Sequence, residues 1–330
     1  MLLDRPGPVE SNPLRLCEVP PPVPGPAEVL VKTRVCGICR TDLHVIEGEL
    51  PEARLPLIPG HQTVGIVEGI GSGVDSLHVG DRVGIAWLRQ TCGVCRFCRS
   101  GRENLCWDAQ FSGYHANGGY AEYAVVPDSF AYPIPSTFSD EEAAPLLCAG
   151  IIGYRALRVS SIQPGQRLGL YGFGASAHIA IQIARAWNCE VFVCSLREEH
   201  RRLARELGAA WVGSAAEAPP EPLDAAILFA PAGDLVPPAL QALQRGGTLA
   251  VAGIHLSAIP SLEYTRDLFG ERVLRSVMAN TKQDGLELLK EAAAIPIRPH
   301  TQAYPLADAN RALQDLKKGV IAGAGVLRME

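Results

Sequence analysis

The sequence predicts an α/β protein of two domains, an irregular β-barrel followed by a doubly wound parallel sheet. Three observations carry that prediction. Short apolar runs broken by glycines and turns fill the first part of the chain. Beyond Tyr123 the pattern changes period, and strand-like and helix-like segments alternate. Within that second part, a strand, a glycine turn, a helix and a second strand follow one another over residues 167–194.

At 330 residues the chain is long enough for two domains, and a composition of 47% hydrophobic and 20% charged residues is that of an ordinary globular protein. The net charge of -5 leaves no basic footprint, and the arginines are scattered, which disfavours nucleic acid as a partner. The start, Met1-Leu2-Leu3-Asp4-Arg5-Pro6, shows no charged leader with an apolar core. The apolar stretch from Ala143 to Tyr154 falls short of the ~20 residues that span a bilayer, so no membrane association and a cytoplasmic location are expected. Ten cysteines in a large, unevenly loaded chain point to metal or catalysis rather than to a disulfide framework.

Residues 1 to 30 are proline-rich and read as an extended lead-in to the β-domain, where Glu28-Val29-Leu30-Val31-Lys32 begins an alternating strand. From Leu57 to Ala86 short runs are separated by glycines and by the turn around Gly80-Asp81. Polar turns, not helices, are expected to hold Cys39 and His61.

Those two residues belong to the first chemical constellation. A catalytic zinc takes three Cys, His or carboxylate ligands from separated parts of the chain and keeps one position open. Cys39, in Val35-Cys36-Gly37-Ile38-Cys39-Arg40-Thr41-Asp42-Leu43-His44, supplies a thiolate close to a hydroxyl and an imidazole. His61, after Pro59-Gly60, is a second ligand candidate. Cys148, in an apolar setting just before an expected helix, is the third.

Cys92, Cys95, Cys98 and Cys106 give C-x2-C-x2-C-x7-C, the most specific local signal in the chain. Four thiolates satisfy tetrahedral zinc completely, so a metal here would staple a loop. An iron-sulfur cluster also uses four cysteines, but the bacterial pattern closes with a shorter gap and a proline. The expectation is two Zn2+ per chain, with Cys17, Cys36, Cys189 and Cys194 as free thiols.

After the turn and strand at Asn117 to Tyr123, Arg167 to Tyr171 reads as a strand, Ala175 to Trp187 as a helix and Glu190 to Cys194 as a strand. Between the first two lies G-x-G-x-x-A: Gly172 for the tight turn, Gly174 for close backbone approach to a pyrophosphate, and Ala177 in place of the third glycine, with Ala175 and Ser176 opening the helix. Flanked in this way the motif is a strong sign of dinucleotide binding. The alternation continues through Asp224 to Phe229, a helix near Ala239 to Gln244, and Gly247 to Gly253, with Gly253 counted among the cofactor-binding positions. A helix at Asp284 to Ala293 and a strand at Ala324 to Arg328 rejoin the first domain.

NAD-binding members of this fold place an acidic residue roughly 20 positions after the glycine loop, to accept from the ribose 2′-OH. Here Ser195 stands at that place and Arg197 follows, a pair suited to a 2′-phosphate that a carboxylate would repel. The residues favour NADP over NAD, although Glu198 and Glu199 come directly after and leave NAD open.

In this order the motifs resemble the zinc-dependent alcohol dehydrogenases of the medium-chain dehydrogenase/reductase superfamily, over essentially the whole chain. The Gly172-Phe173-Gly174-Ala175-Ser176-Ala177-His178 loop is similar to that of a bacterial branch. The resemblance implies a GroES-like zinc catalytic domain over 1–148, completed by 290–330, and a Rossmann NAD(P)-binding domain over 149–289. It implies hydride transfer between a primary or secondary alcohol, or its aldehyde or ketone, and NADP or NAD. It further implies that Cys39, His61 and Cys148 hold the catalytic zinc, that Thr41 touches the alcohol and that His44 passes its proton to solvent. Arg40 matches a contact to the cofactor pyrophosphate, Leu50 and Trp87 match walls of the substrate pocket, and relatives are homodimers or homotetramers. Two departures stand out: Gln62 replaces the glutamate that usually follows the ligand histidine, and Ala322-Gly323-Ala324 replaces arginines near the cofactor. The alternatives are a polyol, threonine or aldehyde-reducing dehydrogenase of the same superfamily, or a nucleotide-binding zinc protein without catalysis.

Overall fold

The structure is a computed structural model and describes all residues except 51, 215, 216, 296, 322 and 330. The departure at Ala322 therefore lies outside the described residues. The chain divides into two compact units, Met1–Cys148 with Ala279–Ala293 and Arg298–Glu330, and Ala149–Met278 with Ala294–Ile297. The return to the first unit thus begins at Ala279, ahead of position 290. Lys282 anchors it there, its backbone N–H donating to Glu103 Oε1 at 2.7 Å, while the Thr281 N–H and hydroxyl both donate to Asp284 Oδ2, at 2.8 and 2.7 Å, as the helix Lys282–Ala294 begins.

The first unit is built on a seven-stranded sheet in the order Thr301–Pro305, Ala324–Arg328, Glu28–Ile38, Thr63–Ile70, Arg82–Ile85, Ala131–Pro133, with Tyr123–Pro127 paired to the Glu28–Ile38 strand. Alternation of apolar residues along Glu28–Ile38 buries Val29 and Val31 on one face, and Val67, Val83, Ile85 and Val126 complete that core. The long strand pairs antiparallel with Thr63–Ile70 in a register that sets Cys36 opposite Thr63. Gly37 N–H donates to Gln62 O at 2.9 Å just beyond the ladder. That register is what brings Cys39 and His61, at the ends of neighbouring strands, to the same edge.

The second unit carries a six-stranded sheet, Trp211–Gly213, Glu190–Cys194, Arg167–Tyr171, Leu223–Leu228, Leu243–Val251, Val273–Ser276, with every pair parallel. In chain order this is 3-2-1-4-5-6, the doubly wound arrangement whose ligand crevice lies at the carboxyl ends of strands 1 and 4. The strands Arg167–Tyr171, Glu190–Cys194 and Leu223–Leu228 read as near-continuous apolar runs because both of their faces are covered. The helix expected near Ala239 to Gln244 is instead Val236–Ala242, and the strand starts already at Leu243. Pro237 and Pro238 sit in the first turn, where their missing N–H groups cost nothing, and so move the helix start upstream.

One local expectation is corrected, and a second is made more specific. Cys39 is not on a polar turn but caps the helix Arg40–Glu47. Cys148 precedes the helix Ile151–Val159 as expected, from within a single wide turn, Leu146–Gly150, that follows the helix Asp140–Pro145. Pro145 removes a helical N–H donor, and the widened turn follows directly.

Candidate active site

The first helix of the chain is organised by the residue before it. Cys39 has extended backbone and serves as N-cap: its sulfur accepts the Thr41 N–H at 3.3 Å, and its own N–H donates to Asp42 Oδ2 at 2.8 Å. This reciprocal pair is the arrangement of a capping box, with a thiol where serine or threonine is usual. It places the sulfur at the positive end of a helix, which favours thiolate.

Around that sulfur the structure gathers the other two candidate ligands. Cys39 Sγ lies 3.3 Å from His61 Nε2 and 3.9 Å from Cys148 Sγ, and the three ligand atoms fall within 4.8 Å of one another. Tetrahedral zinc, with its usual bond lengths, needs about 3.6 Å between a sulfur and a nitrogen and about 3.8 Å between two sulfurs. The donor set and its spacing therefore fit the metal, with three protein ligands rather than four.

The electrostatics of the cluster point the same way. Shared hydrogen bonding with Cys148, and then the charge of His61, hold the Cys39 thiol well below its ordinary range despite burial. Its partner Cys148 is pushed well above by that same hydrogen bond and by burial. Burial pulls the His61 imidazole down, but the Asp42 carboxylate and the Cys39 thiolate outweigh it and raise it to about 10. Burial, opposed by His61, raises Asp42. His61 Nδ1 is 3.1 Å from Asp42 Oδ1, close enough to be an ion pair but off the direction of a hydrogen bond.

Asp42 is a functional residue that the sequence reading passed over. Its only signal was the offset of three from the cap residue, which is common in surface helices; nothing in the sequence says that it is 1% exposed and faces a histidine 19 positions away. Gln62 is likewise buried, with Nε2 unpartnered and its amide against Gly37.

Thr41 is 9% exposed and sits one turn from His44, whose Nδ1 contacts Glu49. Arg40 is exposed at the same helix start. Leu50 and Trp87 are brought together in one apolar cluster with Val45, Leu57, Phe111 and Tyr114. Trp87 stands edge-on to His61, with centroids 4.9 Å apart, and stacks against Phe111 at 4.9 Å and Tyr114 at 5.7 Å. Phe111 and Tyr114 escaped the sequence reading because lone aromatics in a glycine-rich stretch look like ordinary core.

The four-cysteine loop closes on itself. Cys92 Sγ lies 3.5 Å from Cys106 Sγ and 3.9 Å from Cys98 Sγ, and Cys95 to Cys98 is 3.5 Å. These separations are far too long for disulfides and bracket the roughly 3.8 Å edge of a zinc tetrathiolate. The N–H groups of Cys92 and Cys95 donate to the sulfurs of Cys106 and Cys92, at 3.4 and 3.3 Å. Backbone donation from Cys98 lowers the Cys95 thiol to about 7, while burial raises Cys106 to about 11.

In the second unit, Gly172 and Gly174 follow the strand Arg167–Tyr171 and precede the helix Ala175–Ala186. Gly172 has φ +88, and a Cβ there would meet Ala230 N at 2.8 Å, so only glycine fits. At Gly174 a Cβ would meet no protein atom within 4 Å, and no side chain caps the helix. The amides of the first turn, at Ala175, Ser176 and Ala177, are thus left for an anion, which is what a dinucleotide pyrophosphate requires. Ser195 and Arg197 follow the strand Glu190–Cys194 and Gly253 follows Leu243–Val251, all at the carboxyl edge of the sheet.

Comparison with known proteins agrees with this geometry. Residues 25–136 match the family described as Alcohol dehydrogenase GroES-like domain, and residues 177–294 match Zinc-binding dehydrogenase. A probable alcohol dehydrogenase (AdhA) of Mycobacterium tuberculosis is 55% identical over 328 residues, 98% of this chain and 95% of that protein. A thermostable alcohol dehydrogenase from Pyrobaculum aerophilum, solved with cobalt and zinc bound, superposes with TM-score 0.89 at 29% identity, covering 99% of this chain and 98% of the other. CAD from Helicobacter pylori, solved in complex with NADP(H), gives 0.83 at 27% identity, covering 92% and 91%. No helix among the described residues is long and apolar enough to cross a membrane. With a GroES-like unit, a Rossmann unit and relatives of this kind along its whole length, the chain belongs to the zinc-dependent alcohol dehydrogenases of the medium-chain dehydrogenase/reductase superfamily, and is an oxidoreductase acting on small alcohols or their carbonyl counterparts.

Proposed function

We propose that the enzyme interconverts primary or secondary alcohols and their aldehydes or ketones with NADP in preference to NAD, using two zinc ions per chain. The observation that carries the reading is the cluster of half-buried Cys39, buried His61 and half-buried Cys148, with three ligands and Thr41 two residues after Cys39. Bound there, zinc would supply Lewis-acid polarisation of a hydroxyl and lower its pKa. The second ion, held by Cys92, Cys95, Cys98 and Cys106, would be structural.

The residues of the chain then divide the work. Thr41 accepts the hydrogen bond of the alcohol, and His44, at the next turn of the same helix, delivers the proton to solvent. Trp87, backed by Phe111 and Tyr114, and Leu50 form the apolar walls that orient the carbon chain. The amides at Gly174, Ala175, Ser176 and Ala177 bind the pyrophosphate, with Gly172 and Gly253 keeping the backbone close.

The cofactor preference rests on Ser195 and Arg197. The carboxylate nearest to them, Glu198, is held by Arg201 at 2.6 Å and by Arg205 at 3.0 Å, and is thereby kept from a ribose 2′-OH. The family resemblance further suggests a homodimer or homotetramer. The deciding experiment assays primary alcohols, secondary alcohols and aldehydes with NAD(H) and NADP(H), beside zinc analysis and light scattering on the same preparation. Turnover of polyols or threonine alone, or one zinc per fully loaded chain, would remove the corresponding part of the proposal.

A further inference from the structure

The helix Arg40–Glu47 ends in a way that the alcohol-oxidising reading does not require. Gly48 takes the left-handed conformation, φ +79, and donates its N–H to His44 O and Val45 O. The Glu49 N–H then also donates to His44 O at 2.9 Å. A Cβ at Gly48 would lie 2.9 Å from Pro6 Cβ, so conformation and space both demand glycine. The consequence is local and specific. The chain folds back over the last turn, and the Glu49 carboxylate comes to rest on His44 Nδ1. The histidine is mostly buried, at 18% exposure, while the carboxylate is 55% exposed and faces water.

From this juxtaposition we propose that Glu49 is a positioning residue for proton release: its carboxylate fixes His44 with the proton on Nδ1 and steadies the imidazolium formed when Nε2 takes up a proton. The inference rests on His44 being the solvent end of the proton path, as argued above. The step balances simply. Nε2 gains the proton arriving from the alcohol side, the ring becomes cationic beside the Glu49 carboxylate, and Nε2 then gives that proton to water. Which ring nitrogen carries the proton is set by its hydrogen-bond partner, and here the Glu49 carboxylate, which can only accept when ionised, meets Nδ1. The other two carboxyl side chains of this helix are engaged elsewhere: Glu47 pairs with Lys317 at 2.7 Å, and Asp42, in the first turn, faces His61.

The test uses the full-length enzyme with Glu49→Ala, Glu49→Gln and Glu49→Asp beside His44→Gln. In cofactor-free protein, nitrogen NMR of the His44 ring should report the Nδ1–H tautomer in the wild type, a shift toward Nε2–H in Glu49→Ala, and recovery in Glu49→Asp. With cofactor and alcohol, Glu49→Ala and Glu49→Gln should each lose roughly tenfold in turnover, the low end of what a proton-transfer group contributes. That loss should be restored by raising the concentration of a small buffer base, which has no effect on the wild type. An unchanged tautomer together with buffer-independent, normal turnover in Glu49→Ala, while His44→Gln is impaired, overturns the assignment of Glu49 alone. His44→Gln with wild-type turnover overturns the proton path itself, and the kinetic role of Glu49 with it.

Discussion

His61 turns Nε2 toward the Cys39 sulfur and Nδ1 toward Asp42 Oδ1, 3.1 Å away, with both side chains 1% exposed. Asp42 therefore does two things at once, since its other oxygen accepts the N–H of Cys39 at 2.8 Å. One carboxylate orients two of the three candidate ligands.

Asp42→Asn should accordingly weaken metal at this cluster while sparing the four-cysteine loop. Partners that orient a ligand histidine typically account for about 10- to 100-fold in metal affinity. Equilibration against a graded series of chelators, followed by counting zinc per chain, separates the two sites. Equal loss from both sites, or none from either, would contradict the assigned role.

The same cluster predicts how metal affinity depends on pH. Without metal, His61 is raised to about 10 and is protonated at neutral pH, Cys148 is raised and is a thiol, and Cys39 is lowered and is already a thiolate. Zinc requires neutral imidazole and two thiolates, so binding must expel one proton from His61 and one from Cys148. Affinity should then rise with pH, by about tenfold per unit for each proton released, or roughly a hundredfold per unit between pH 6 and 8. Calorimetry in buffers of different ionisation enthalpy, on protein whose four-cysteine loop is already loaded, counts the protons directly. A release near zero would contradict the charge states described.

How far this site was legible in the sequence depended on distance along the chain. Cys92 to Cys106 could be read as a metal loop because every ligand falls in one short stretch. The parallel sheet was equally legible, since Arg167–Tyr171 and Glu190–Cys194 are apolar runs bracketing a glycine turn. Cys39, His61 and Cys148 came forward only as members of an ordered series, because each alone is an ordinary buried residue type. What joins them is strand register, Cys36 opposite Thr63, and register is a property of pairing that no single segment encodes. Asp42 and Glu49 were missed for a related reason: their partners are set by how a helix begins and ends. A thiol was not expected as a cap, and a glutamate after a glycine reads as surface.

Thr41→Val tests the chemistry nearest the substrate. The side chain is almost isosteric, and its neighbours in the capping arrangement use backbone N–H groups, so the fold and the metal sites should be unaffected. Alcohol oxidation should fall by about a hundredfold or more, because the hydroxyl proton loses its first acceptor. Zinc content must stay at the wild-type value for the result to count, and near-normal turnover would remove Thr41 from the proton path.

The cofactor preference provides the last prediction. Ser195 is 4% exposed at the end of its strand, and its N–H donates to Gly213 O at 3.1 Å, which fixes its position. Arg201 donates to Ser195 O at 2.8 Å and to Leu196 O at 3.2 Å while also holding Glu198, so this guanidinium is committed to the loop. Arg197 is exposed at the N-cap of the helix Glu198–Glu206, and under the proposed function it is the cation that meets a 2′-phosphate. Arg197→Ala should lower kcat/KM for NADP by about tenfold, the worth of a charge-assisted hydrogen bond at an exposed site, and leave NAD nearly unchanged. Ser195→Asp should act in the opposite sense on the two cofactors, because a carboxylate at that place repels the phosphate and accepts from a ribose 2′-OH. A wild-type preference for NAD, left in place by both substitutions, would show that neither residue reads the ribose.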